Sequence, residues 1–169
     1  MQEKLRAELA QFTNDDPNFD QLTTGLPYLD AVVCESLRLH PITSSSTREV
    51  NLLFTSTNAT DSRHLQHKAY ADDIIPLSTP IRDANGELID RISVKKGTFV
   101  YVPTLSIQRS KALWGDDAGE FKPGRWLDNS ISQQRASEIQ GYRHLLTFLD
   151  GPRTCLGKHF ALTALKVHL

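Results

Sequence analysis

Cysteine is nearly absent from this chain, with Cys34 and Cys155 the only two among 169 residues. Two thiols far apart in sequence and without a Cys-x-x-Cys pair cannot build a disulfide framework, and they fall short of the ligand set of a structural zinc site. An excess of charge of one sign is also missing. The formal net charge is −1, so composition points to neither nucleic acid nor an acidic membrane surface as a partner. Long hydrophobic runs are absent too: no stretch approaches the roughly 18 apolar residues of a membrane span. The opening residues MQEKLRAELAQF alternate charged and apolar positions as a helix does and lack the apolar core of a signal peptide. The expectation is one globular domain's worth of chain, 39% hydrophobic, with no membrane anchor of its own. The sequon Asn58-Ala59-Thr60 is then read as accidental, having no route to a glycosylating compartment.

What is present is concentrated in Phe148 to Gly157, FLDGPRTCLG. Five positions are specified, one cysteine and four residues around it, and five specified positions match a given window by chance about 3 times in ten million. Each has a physical role. Cys155 binds a metal as thiolate, and a following helix, GKHFALTALKVHL, offers backbone donors and a positive dipole. Gly151 and Gly157 remove side chains where the backbone bends or a flat cofactor approaches. Arg153 is spaced to pair with a carboxylate, and Phe148 to shield the sulfur from water. A free cysteine in a turn before a core helix is the bland alternative for Cys155.

A second constellation lies in LPYLDAVVCESLRLHP. Pro27 in a first turn and Pro41 beyond His40 bound a helix over 27–40. Glu35 and Arg38, three residues apart, share its face with Ala31, Val32, Cys34 and Leu39, which predicts a buried ion pair that needs a further partner.

The cysteine loop resembles that of the cytochrome P450 family of haem-thiolate monooxygenases, of the eukaryotic, fungal-like type. The family carries Phe, Gly, Arg, Cys and Gly at these spacings and Glu-x-x-Arg on its K helix. The resemblance names the third partner: Arg125, in FKPGRW at Phe121–Trp126, matches the Arg of the family's Pro-x-Arg-aromatic motif. It implies a structural triad of Glu35, Arg38 and Arg125. It also implies haem b held by Cys155 as axial ligand, with Phe148, Gly151, Arg153 and Gly157 around it and Arg153 against a propionate. No catalytic residue is assigned. Where the family often has Glu, this chain has Gly124; where it often has His-Arg, the chain has Gln108-Arg109.

The implied fold is mainly α with a small antiparallel β-sheet, the C-terminal third of the cytochrome P450 fold. Its parts are the K helix at 27–40, a small sheet at about 74–103, a meander at about 110–142, the cysteine loop at 148–157 and a helix at 157–168. DDIIPLSTPI, ELIDRISV and TFVYVPTLSI read as the strands, broken by turn signals at Asp83–Gly86 and Lys95–Gly97. Residues 104–109 read as a short helix. Asn51 to Lys68, rich in Thr, Ser, Asn and His, reads as an insertion in a loop or a short intron left in the reading frame. His64 and His67 within it lack the further ligands of a metal site.

For the complete protein the resemblance implies oxygen insertion into a small hydrophobic substrate with electrons from NADPH-cytochrome reductase, at the cytosolic face of the endoplasmic reticulum membrane. The substrate-recognition helices and the oxygen-activating helix have no counterpart in these residues, so the chain is expected to be inactive by itself. Two alternatives stay open: a non-catalytic remnant that binds no haem, and a reductase-independent enzyme of the same fold that rearranges peroxides, which usually shows an altered cysteine loop.

Overall fold

The computed structural model describes residues 2–12, 17–43, 46–48, 69, 71–127 and 135–169. The expected insertion at 51–68 lies outside these residues, as does part of the meander. The chain divides into two compact units, Met1–Ser44 with Thr104–Leu169, and Ser45–Pro103.

The first unit is helical and holds the core. Helix α1 spans Gln2–Leu9, and α2 spans Phe19–Thr24 behind a reciprocal cap. There the Asn18 side chain accepts from the Gln21 amide while Gln21 accepts from the Asn18 amide, leaving two helix-start donors satisfied. Helix α3 spans Pro27–Leu39 with Pro27 in its first turn, and His40 closes it by donating its amide to the Ser36 carbonyl. Leu29, Ala31, Val32, Val33, Cys34, Leu37 and Leu39 are all buried, so this helix is buried nearly all round and forms the centre of the unit. The Glu8 carboxylate accepts from the Tyr28 and Leu29 amides at 2.7 and 2.8 Å, tying α1 to the uncapped start of α3.

Beyond the second unit the chain returns as α4, Thr104–Gln108, and α5, Lys111–Trp114. Single 3₁₀ turns follow at Pro123–Trp126, Tyr142–His144 and Gly151–Arg153, and then α6, Lys158–His168. Trp114, Ala118, Trp126, Ala136, Leu145, Phe148 and Leu162 pack with α3 in one hydrophobic cluster. The indole rings of Trp114 and Trp126 lie 5.6 Å apart at a tilt of 49°.

Among the described residues the second unit carries two separate two-stranded antiparallel sheets rather than one. Strands β2, Asp73–Arg82, and β3, Leu88–Val94, form a hairpin whose register shifts between Pro76 and Ile81. Proline has no amide to give a ladder, which suits an irregularity there. In the turn, the Asp83 carboxylate accepts from the Asn85 and Glu87 amides, and Gly86 takes φ +84°, the conformation glycine adopts most readily. The expected third strand of that sheet is instead β4, Val100–Val102, which pairs with β1, Ser46–Arg48. Strand propensity located β4, but propensity carries no information about the partner.

Candidate functional site

The run into the thiol loop holds an unusual density of left-handed backbone. Arg143, His144 and Leu149 have φ of 51°, 60° and 59°, and Gly151 follows at 73°. Non-glycine residues keep that conformation only where surrounding structure imposes it. Gly141 begins the bend, and a Cβ there would lie 2.0 Å from the Leu145 carbonyl oxygen, so only glycine fits. Past the bend, Phe148 turns its side chain into the core, edge-on to Tyr142 with ring centroids 6.0 Å apart. Its backbone faces the loop: the Cys155 amide donates to the Phe148 carbonyl at 2.9 Å. That bond closes a loop whose tip is the Gly151–Arg153 turn, held by the Thr154 hydroxyl donating to the Gly151 carbonyl.

Cys155 is exposed, unlike Cys34. Gly157, at the N-cap of α6, lies so that an added Cβ would come within 4.0 Å of the Cys155 sulfur. At Gly151 the corresponding direction is open space. Leu156 and Phe160 are strongly exposed, which leaves apolar side chains bare immediately after the thiol. The side chain of Arg153 lies outside the described residues.

The structure brings Glu35, Arg38 and Arg125 together. Arg38 binds Glu35 through both carboxylate oxygens at 2.8 Å, the bidentate geometry in which a guanidinium pairs most strongly. Arg125 Nε donates to Glu35 Oε1 at 3.0 Å. Two further donors escaped the sequence reading: the Lys122 amide, at 2.8 Å from Oε1, and Trp126 Nε1, at 3.0 Å from Oε2. Arg38 spends its other donors on the carbonyls of Gln108, Ala118 and Glu120, and its guanidinium lies 5.3 Å from the Trp114 ring centroid, within cation–π range. Burial opposes ionisation of Glu35, yet the hydrogen bonds from Arg38, the Lys122 amide and Trp126, with the Arg38 charge, outweigh it and hold this carboxyl below its ordinary range.

Another junction ties α6 to α3. The Lys166 ammonium, 8% exposed, sits 2.9 Å from Asp30 and donates to the Leu22 carbonyl at 2.8 Å. Asp30 accepts from Arg143 at 2.6 Å through its other oxygen. One α3 carboxylate therefore meets the residues on both sides of the thiol loop in sequence. Cys34, buried beside it, has its thiol pushed up to about 12, first by burial and then by the Asp30 charge, which makes it inert as a nucleophile or ligand.

In this mainly α fold Cys155 is an exposed thiol ahead of α6, and the Glu35–Arg38–Arg125 cluster is buried. The comparisons supply the family. The cytochrome P450 family model matches residues 1–54 and 73–169, and this chain belongs to that family. Over 169 residues it is 50% and 49% identical to two proteins of Ampulloclitocybe clavipes, cytochrome P450 monooxygenases claU and claW, with 100% of this chain covered in each. It is 40% identical over 166 residues, or 98% of the chain, to cytochrome P450 monooxygenase 205 of Postia placenta. The chain spans 28% of the length of the first two relatives and 26% of the third.

Haem, which the family implies, can be tested against these residues. No group of three or more His, Cys, Asp or Glu side chains among those described could hold a bare metal ion. A single exposed thiol, flanked in sequence by glycines and bare apolar side chains, suits an iron that arrives with its other ligands in a flat apolar ring. The residues fit that group.

Proposed function

We propose that this chain is the iron-ligating portion of a haem-thiolate monooxygenase, with the Cys155 thiolate as axial ligand to haem b. The observation that carries the reading is the exposed Cys155 at the end of a loop closed by its own amide on the Phe148 carbonyl. When bound, such an iron supplies oxygen activation, and the electron-rich thiolate favours O–O cleavage. The chain's own residues hold and tune the ligand. The Phe148 carbonyl fixes the Cys155 amide, Gly151 and Gly157 keep the approach open, and Arg153 is assigned to a propionate carboxylate. The Glu35–Arg38–Arg125 cluster anchors α3 to the segment leading into the loop. It takes no part in chemistry.

For the complete protein we assign an organic, small hydrophobic substrate, electrons from an NADPH-cytochrome reductase, and the cytosolic face of the endoplasmic reticulum membrane. Among the described residues no helix is long and apolar enough to cross a membrane. Residues 51–68 are assigned as a translated insertion; the family match omits 55–72, while claU and claW align over 100% of the chain.

The test is thiol protection. Iodoacetamide should modify Cys155 in the haem-free protein and not after haem loading, and Cys155→Ser should abolish the red-shifted Soret band of the reduced carbon monoxide complex. A protein that takes up no haem when expressed with a haem precursor would instead be the non-catalytic remnant.

A further inference from the structure

Gln108 is the last residue of α4, fully buried, and every hydrogen-bonding site of its side chain is used. Its amide nitrogen donates to the carbonyls of Leu37 and Arg38 at 3.1 and 3.0 Å, at the end of α3. Its amide oxygen accepts from the Leu146 amide at 2.8 Å and from the Thr147 hydroxyl at 3.2 Å. Two donors and two acceptor sites are the whole capacity of a carboxamide. The orientation is also determined, because the flipped amide would set its oxygen against two carbonyls and its NH₂ against a backbone N–H. One further bond runs the other way, from Arg38 Nη1 to the Gln108 carbonyl at 2.8 Å.

The two ends of this side chain join the elements that matter for the thiol. On one side are the last carbonyls of α3, the helix that carries Glu35 and Arg38. On the other are Leu146 and Thr147, directly ahead of Phe148, whose carbonyl fixes the Cys155 amide. The single Thr147 hydroxyl proton is shared between Gln108 Oε1 and the Leu37 carbonyl, the latter at 3.0 Å. We propose that Gln108 is a positioning residue for the haem ligand, its carboxamide setting the upstream edge of the thiol loop against the end of α3. The proposal rests on the reading of Cys155 as that ligand. A histidine at this position has, in its neutral form, one donor and one acceptor, so it could meet only two of the four groups that Gln108 meets. The loop geometry of this chain is therefore matched to the amide.

The experiment compares wild type, Gln108→Met and Gln108→Glu in the full-length protein, with and without haem. Hydrogen–deuterium exchange of the segment 145–149 is read together with the spectrum of the reduced carbon monoxide complex. In the haem-free protein Gln108→Met should speed exchange of the Leu146 amide about tenfold, the loss expected for one buried hydrogen bond, with the β2–β3 hairpin unchanged. Gln108→Glu keeps the acceptor for Leu146 but loses both donors to α3, so it should exchange at an intermediate rate. It carries the comparison if the Met variant does not fold. In the haem-loaded protein both variants should retain haem while a larger share loses the thiolate-type spectrum. Wild-type exchange and spectrum, or faster exchange spread equally over all segments, would overturn the proposal. So would local loosening with an unchanged thiolate spectrum. Cys155→Ser separates the two readings: if it keeps the thiolate spectrum the ligand assignment fails, while the exchange at Leu146 still reports whether Gln108 holds the loop.

Discussion

Trp126 Nε1 donates to Glu35 Oε2 at 3.0 Å, while Arg125 Nε donates to Oε1 at 3.0 Å. Adjacent residues of one 3₁₀ turn thus grip both oxygens of the same buried carboxylate. The aromatic position after Arg125 serves as a hydrogen-bond donor as well as a packing group. Trp126→Phe should keep an aromatic ring beside Trp114 while losing that bond and part of the buried indole, a cost of at least about 1.5–3 kcal/mol, the value of a hydrogen bond to a charged group. Glu35→Ala should cost about 3–5 kcal/mol, because Arg38 and Arg125 would stay buried without their counter-charge. Urea unfolding of the two variants checks both values, and a Trp126→Phe variant as stable as wild type would show that the indole donor contributes nothing of its own.

The same carboxylate gives a pH dependence of definite sign. Glu35 is held below its ordinary value of 4.5 in the folded chain, so as pH falls the unfolded chain takes up the proton first. Its contribution is complete above the unfolded value and is lost as pH drops through 4.5 toward the folded value. The stability gap between wild type and Glu35→Gln should therefore be constant near neutrality and narrow in acid. A gap that widened on acidification would mean that Glu35 is not the ionised partner.

Much of this was legible in the sequence, and for identifiable reasons. The α3 limits followed from Pro27 and Pro41 and the hairpin turn from Asp83–Gly86, signals carried locally, and α6 followed from the run GKHFALTALKVHL. The meeting of Glu35 with Arg38 followed from helical spacing, whereas Arg125 needed the family motif, since it is distant in sequence. Less was legible wherever a contact joins segments without local pattern. Nothing local marks Gln108 as the partner of Leu146, or Asp30 as the partner of both Arg143 and Lys166. The split of the strands into two sheets is the same kind of case: β4 has strand character, but its pairing with β1 is set by tertiary structure.

The two thiols should differ sharply in reactivity. Cys34 is buried with its thiol pushed up to about 12, while Cys155 is exposed. Under native conditions the haem-free protein should show modification at Cys155 and none at Cys34, with both labelled in denaturant. Mass spectrometry of the peptides decides it. Native labelling of Cys34 at a comparable rate would mean that α3 opens far more readily than its burial implies.

Three glycines separate steric need from conformational need. At Gly141 an added Cβ would meet the Leu145 carbonyl oxygen at 2.0 Å, closer than backbone atoms can accept without displacement, so Gly141→Ala must shift the turn that leads into the thiol loop. Gly151 has open space around it but takes φ +73°, where an L residue costs about 1–2 kcal/mol. Gly124 has neither constraint. Gly124→Ala should change stability by no more than about 0.5 kcal/mol, as other unconstrained surface changes do. The expected order of destabilisation by denaturant unfolding is Gly141→Ala above Gly151→Ala above Gly124→Ala. If Gly141→Ala proved as harmless as Gly124→Ala, the tight bend at Gly141–Leu145 could not be what directs Phe148 into the core and its carbonyl toward Cys155.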